Sequence, residues 1–189
     1  MAATQPIRGK NEVSKLMEFF RQSGNLRNMA LFVLSIHTAL RVGDILKLTW
    51  NDVYDFRLIQ VRKSINLVEK KTGKAKIVAL NKNVIAALSQ LAAQSASENQ
   101  AVILNPITNK AISRIQAYRI IRAAAEAAEL ENRVSCHSLR KTFGYHAWKS
   151  GVSPTIIMEI YNHSSMDTTR RYLGVTQDDK NAAYLDLEF

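Results

Sequence analysis

"FRLIQVRKSINLVEKKTGKAKIVAL", residues Phe56 to Leu80, is the stretch richest in β-branched residues in a chain whose other patterns are helical. It breaks at Thr72-Gly73 and reads as two or three antiparallel strands with a tight turn. From Arg57 to Lys76 it carries seven basic residues (Arg57, Arg62, Lys63, Lys70, Lys71, Lys74, Lys76) against one acid, Glu69. A hairpin of that charge can lie along a phosphate backbone. Lysines also guard solvated edge strands against aggregation, so the stretch alone leaves both readings open.

Helical patterns surround it. Val13, Leu16, Met17 and Phe20 recur at helical spacing, with Gly24 as the stop. "NMALFVLSIHTAL" (Asn28–Leu40) is apolar nearly all round, the mark of a buried central helix. A shorter helix follows in "RVGDILKL". After the strands, Val84, Leu88 and Leu91 share one face of a helix over Asn81–Ala96. Ser113 and Gln116 stand at capping-box spacing before the next. Lys149 and Gly151 close the helix of "HSLRKTFGYHAWKSG", and Ser153-Pro154 restarts another. The tail, 176–189, reads as an acidic helix. The expected fold is α+β and mainly α-helical, with a small antiparallel β-sheet insert, in one domain over 1–189.

Composition narrows the function. The chain has 189 residues and a formal net charge of +10, a surplus that points to a polyanion, nucleic acid first. The single cysteine, Cys136, excludes an internal disulfide. "MAATQPIRGK" has no apolar core, so it is not a signal peptide. No window approaches the roughly 18 consecutive apolar residues of a membrane span. The expected compartment is the cytoplasm, with no membrane partner.

Four separated features carry chemistry. In "TALRVGDILKLTW", Arg41 lies beside the core helix with Asp44 three residues on. A buried arginine needs a partner or an anion, and a local Arg41–Asp44 pair would serve as well as a bound phosphate. In "KKTGKAK", Lys71 and Lys74 flank the turn, placed either as exposed loop lysines or as a mobile acid. In "HSLRKTF", His137 and Arg140 share a face near a helix N-terminus, where anions are favoured. In "YNHSSMDTTRRYLGV", His163 marks a corner between two helices and Tyr172 lies nine residues on.

The order Arg41, Lys71, His137-x-x-Arg140, His163, Tyr172 resembles the catalytic domain of the tyrosine recombinases, the phage-integrase family, over about Ile7 to Tyr184. Each box is weak alone; their order and spacing are not. The resemblance implies a site-specific DNA recombinase with Tyr172 as nucleophile, a 3′-phosphotyrosine intermediate, and no metal or cofactor. Arg41 and Arg140 would bind the non-bridging phosphate oxygens and stabilise charge that grows in the transition state. His163 would add a hydrogen bond, His137 would help deprotonate Tyr172, and Lys71 would protonate the leaving 5′-oxygen, with Lys74 as its rival. Asp44 would orient a neighbouring catalytic side chain. Arg62, Lys63, Lys70, Lys74, Lys76, Lys141, Arg170 and Arg171 are the expected DNA contacts. His37 and His146 read as structural, and Cys136 as a buried neighbour of the site.

The partner implied is double-stranded DNA. Four strands must be cut, so self-association into a tetramer on DNA is expected, from a monomer in solution and with accessory DNA-bending proteins where the reaction needs them. The catalytic core would occupy 6–175. The tail's Ala182, Tyr184, Leu185, Leu187 and Phe189 are candidates for docking on a neighbouring protomer, or for folding back on their own domain. Two positions depart from the family pattern: Asp44 replaces a common Glu, and Asn162 replaces a common Gly before His163, which implies a differently shaped corner. The family's N-terminal DNA-clamping domain is expected to be absent, as in an excised domain or a short inversion-type recombinase. Relaxing topoisomerases of the IB class and non-catalytic DNA-binding modules are the rival expectations.

Overall fold

The computed structural model describes residues 4–69, 73–130 and 134–186. Its elements are mainly helical, as the periodicity predicts. Helix α1 (Lys10–Gln22) turns Leu16 and Phe20 inward, and Gly24 beyond its end takes φ 64°, where a Cβ would be strained. Helix α2 (Leu26–His37) is buried over seven consecutive residues, Ala30 to Ile36. Two single-turn helices follow, α3 (Val42–Ile45) and α4 (Trp50–Val53).

The stretch Phe56–Leu80 holds three antiparallel strands among its described residues, as the sequence predicts, but they are split between two hairpins: β1 (Tyr54–Asp55), just before the stretch, pairs with β2 (Gln60–Val61), and β3 (Ser64–Val68) pairs with β4 (Ala75–Ala79). The cause of the split is local. Asp55 Oδ1 accepts the backbone N–H of Arg57 and of Leu58, and Ile59 adopts φ 53°, so the chain folds back before the longer strands begin. In the longer hairpin, Ile65 pairs with Val78 and both are buried, while Ile77 faces solvent. A third hairpin, β5 (Leu104–Asn105) with β6 (Lys110–Ala111), lies outside the stretch that the β-branched pattern marks.

The remaining helices are α5 (Lys82–Ser95), α6 (Arg114–Ala127), α7 (Cys136–Lys149), α8 (Pro154–Tyr161), α9 (Met166–Leu173) and α10 (Gln177–Leu185). The Ser113/Gln116 capping box and the Ser153-Pro154 start form as the sequence predicts. Helices α1, α5, α6 and α7 pack on α2, which explains why α2 is apolar all round. A smaller second core of Ala39, Ile157, Tyr161 and Leu173 joins α7, α8 and α9.

Residues 4–8 form a strap that ties α7 to the end of α9, with Ile7 buried in the main core. Thr4 C=O accepts Lys141 Nζ at 2.7 Å, and Ile7 N–H donates to Thr142 Oγ1 at 2.9 Å. His146 Nε2 lies 3.1 Å from Ile7 C=O, and Arg8 Nη2 donates to Gly174 C=O at 2.7 Å. His146 is therefore held structurally, as is His37, whose Nδ1 lies 3.1 Å from Asn81 Nδ2.

Gly144 lets α7 approach Tyr161. A Cβ there would lie 2.5 Å from the phenol oxygen and 2.7 Å from Cε2 of a fully buried ring. Gly144→Ala is therefore expected to cost about 2 kcal/mol or more of stability, read as a shift of the urea midpoint. An unshifted midpoint would mean that the ring can retreat.

Candidate active site

Arg41 is the N-cap of α3, in extended backbone just after Ala39, which turns the chain at φ 54°. Its ion-pair partner is distant: Nη1 lies 2.7 Å from Oε2 of Glu69, a carboxylate that is fully buried. The local Arg41–Asp44 alternative gives way to this long-range pair. Asp44 is itself buried, and its charge reaches Lys76.

Arg140 lies on α7 and is only 2% exposed. Its Nη1 donates to Ala39 C=O and its Nη2 to Tyr161 C=O at 3.2 Å. The guanidinium carbon stacks 4.7 Å over the Tyr161 ring and 6.0 Å over the Tyr172 ring. Tyr161 returns a bond, donating its O–H to the Arg140 backbone carbonyl at 2.6 Å. A charged fork is thus fixed inside the protein by two carbonyls and an aromatic face.

Helix α9 delivers Tyr172. Ser165 caps its start, Thr169 and Leu173 point inward, and Gly174 ends it in left-handed backbone. The Tyr172 oxygen lies 3.1 Å from His137 Nδ1, and with the proton of His137 on Nε2 the phenol is the donor. The His163, Tyr161 and His137 rings stand 4.8, 4.9 and 5.0 Å from the Tyr172 ring, centroid to centroid. Burial pushes the Tyr172 phenol above its ordinary value, and the nearby Arg140 and Arg41 pull it back down.

His163 stacks on Tyr161, and its Nδ1 lies 3.1 Å from Thr169 Oγ1. Burial, then repulsion by Arg140 and Arg41, brings its pKa down to about 4. It is therefore neutral at physiological pH, and its tautomer sets whether Nδ1 donates to Thr169 Oγ1 or accepts from it. The unfolded chain binds that proton more readily. Stability from this group is full above about pH 6.5 and is lost as pH falls toward 4. The drop in denaturation midpoint between about pH 7 and pH 5 is expected to shrink in His163→Asn; an unchanged drop would assign it to other groups.

Asn162 adopts φ 52° and ψ 43°, the left-handed conformation that a glycine would take. Asn tolerates this region, so the backbone here does not require glycine. What differs is the side chain: Nδ2 donates to Glu69 Oε2 at 3.0 Å.

A cavity of about 540 Å³ opens in front of these groups, lined by Arg41, Asp44, Arg114, His137, Arg140 and Tyr172 among others. Cys136 also lines it, its thiol pushed up to about 11 by burial. Arg114 was not singled out by any motif. Its signals are the capping box, which puts it in the first turn of α6, and Gly43, whose missing Cβ leaves the space that the Arg114 guanidinium fills.

The expected DNA contacts separate by position. Arg62, Lys63, Lys74, Arg170 and Arg171 are exposed. Two others point inward instead. Lys76 is tied to Ile160 C=O at 2.5 Å, and Lys141 is buried with its ammonium 5.3 Å over the Tyr172 ring. Their long stems reach the interior from elements that the sequence marks only as basic. Lys70 and Lys71, and Leu187 and Phe189 of the tail, lie outside the described residues. Among the described residues no helix is long and apolar enough to cross a membrane, and no cluster of three or more His, Cys, Asp or Glu could hold a metal ion.

Known proteins share this chain's sequence pattern and fold. The profile of the phage integrase family matches residues 9–178. A probable integrase/recombinase of Bacillus subtilis strain 168, YoeC, is 35% identical over 184 residues, covering 97% of each chain. The tyrosine recombinase XerD of Mycobacterium leprae is 28% identical over 161 residues, covering 80% of this chain and 49% of that one, so the chain spans about half the length of such relatives. In three dimensions, a XerH site-specific recombinase in a post-cleavage complex with palindromic difH DNA superposes with a TM-score of 0.77 at 17% identity, over 97% of this chain and 53% of that one. The chain belongs to the phage integrase family, the tyrosine-type site-specific recombinases.

Proposed function

We propose that this chain cuts and rejoins double-stranded DNA at defined sites through a covalent bond between Tyr172 and a 3′-phosphate. The observation that carries the reading is convergence. Arg41, His137, Arg140 and Tyr172, spread over 131 positions of sequence (172 − 41), line one cavity, with the nucleophile oxygen 3.1 Å from His137 Nδ1. The net charge of +10 and the DNA complex of the XerH neighbour support duplex DNA as the partner.

In this reading the two guanidinium forks hold the non-bridging oxygens of the scissile phosphate, and neutral His163 donates from Nε2 to the same group. The Tyr172 oxygen attacks phosphorus as its proton passes to His137. The P–O5′ bond breaks and the leaving oxygen takes a proton from Lys71, whose part rests on the family resemblance. A second 5′-hydroxyl then attacks the phosphotyrosine in the reverse sense, so the bond energy is kept. Asp44, which lines the same cavity, orients a neighbouring catalytic side chain. Strand exchange proceeds in a tetramer assembled on DNA, with exposed Tyr184 and Leu185 of α10 as the docking residues. The protein works in the cytoplasm.

A nicked suicide duplex, chosen by selecting bound sequences from a random library, tests the reading. The expected result is a covalent protein–DNA band whose modified peptide contains Tyr172. No band with any selected duplex would sink it, and relaxation of arbitrary plasmid without exchange between sites would favour a relaxing enzyme.

A further inference from the structure

Glu69 is the single acid among the seven cations of the hairpin region, and it is 0% exposed. A buried carboxylate is costly unless charges and donors satisfy it. Here Oε2 accepts Arg41 Nη1 at 2.7 Å and Asn162 Nδ2 at 3.0 Å. Oε1 stands 3.9 Å from Lys76 Nζ, which donates to Ile160 C=O. One side chain therefore ties the start of α3, strand β4 and the end of α8. Those elements carry Arg41 and the corner that presents His163.

We propose that Glu69 is a positioning residue: its buried carboxylate fixes Arg41 and the Asn162–His163 corner relative to each other. Arg41 lines the cavity and Glu69 stands behind it, so the carboxylate does not occupy the place of a phosphate. It also offsets the mutual repulsion of Arg41, Arg140 and Lys76. Burial and Arg140 bring Lys76 down to about 8, while Glu69 opposes that fall. Asn162 is part of the same device: it supplies left-handed backbone, as glycine would, and adds the amide that reaches Glu69.

The inference rests on the recombinase reading, so its test has two arms, both on the full chain. With the selected suicide duplex, Glu69→Gln is expected to slow adduct formation about 30-fold or more, while affinity for the duplex stays within about 3-fold. Asn162→Asp alone sets two carboxylates together and should also be slow. The double variant Glu69→Gln/Asn162→Asp restores one carboxylate and should recover at least about 5-fold over Glu69→Gln. A Glu69→Gln rate within about 3-fold of wild type, or a double variant no faster than Glu69→Gln, overturns the proposal.

Without DNA, the Arg41 side-chain N–H signals in ¹H–¹⁵N spectra should be shifted and slow to exchange, and should become solvent-like in Glu69→Gln. Signals that do not change overturn the proposal whatever the DNA arm gives. A wild type that forms no Tyr172 adduct counts against the recombinase reading, and the spectra then decide for Glu69 by themselves.

Discussion

Tyr172→Phe is expected to abolish the covalent protein–DNA band, a loss of about 10⁴-fold or more in adduct formation, with folding and duplex affinity retained. The variant removes one oxygen from a half-buried ring. The ring keeps its contacts with His137, His163 and Tyr161, because those are made by its faces and edges. The hydrogen bond to His137 Nδ1 is lost, but His137 is exposed and water can replace the phenol there. A stable Phe variant that still forms the band would move the nucleophile elsewhere. Tyr161 is no substitute: its hydroxyl is buried and committed to the Arg140 carbonyl, and burial pushes its pKa far up.

Arg140→Ala is expected to lose about 10³-fold in adduct formation and, in addition, about 2–4 kcal/mol of stability. A surface arginine near a helix start would have left stability nearly intact. The structure says otherwise, since Arg140 is 2% exposed and its two Nη groups satisfy the carbonyls of Ala39 and Tyr161. Removing the side chain strands both acceptors and opens a space under the Tyr161 ring. Arg140→Lys separates the effects: it keeps a charge and most of the volume but not the planar fork. It should recover part of the stability while adduct formation stays about 10²-fold down. Urea denaturation beside single-turnover trapping measures both. Full stability in Arg140→Ala would show that the carbonyls find other donors.

These expectations show where the sequence was readable. The α+β class, the central helix and the caps at Ser113 and Ser153 follow from local patterns, because capping and periodicity act within a few residues. Order and spacing mark Arg41, His137, Arg140 and Tyr172 without knowledge of contacts, and the structure brings these four to one cavity, while Lys71 lies outside the described residues. What was hidden depends on contacts across the chain. Glu69 looks like a stray acid in a basic hairpin, and only burial against Arg41 and Asn162, 28 and 93 residues away, gives it a role. Lys76 and Lys141 carry the same charge as the exposed Lys63, and nothing local says that their stems turn inward. The split of the β region was hidden for a different reason. Its Asx turn is signalled by one side chain, Asp55, which stands just before the β-branched stretch.

The strap has a consequence in time. Arg8 closes on Gly174, 166 residues away, and Ile7 on Thr142, 135 residues away. Such contacts join residues far apart in sequence, and they are the slow ones to close. During synthesis the arginines and His137 emerge before Tyr172, and the helix bearing Tyr172 gains its anchor to Arg8 only after Gly174 has been made. A chain that stops before Tyr172 lacks the phenol, whatever else of the site it carries. In the proposed reaction the nucleophile is thus the last of the site's groups to be made.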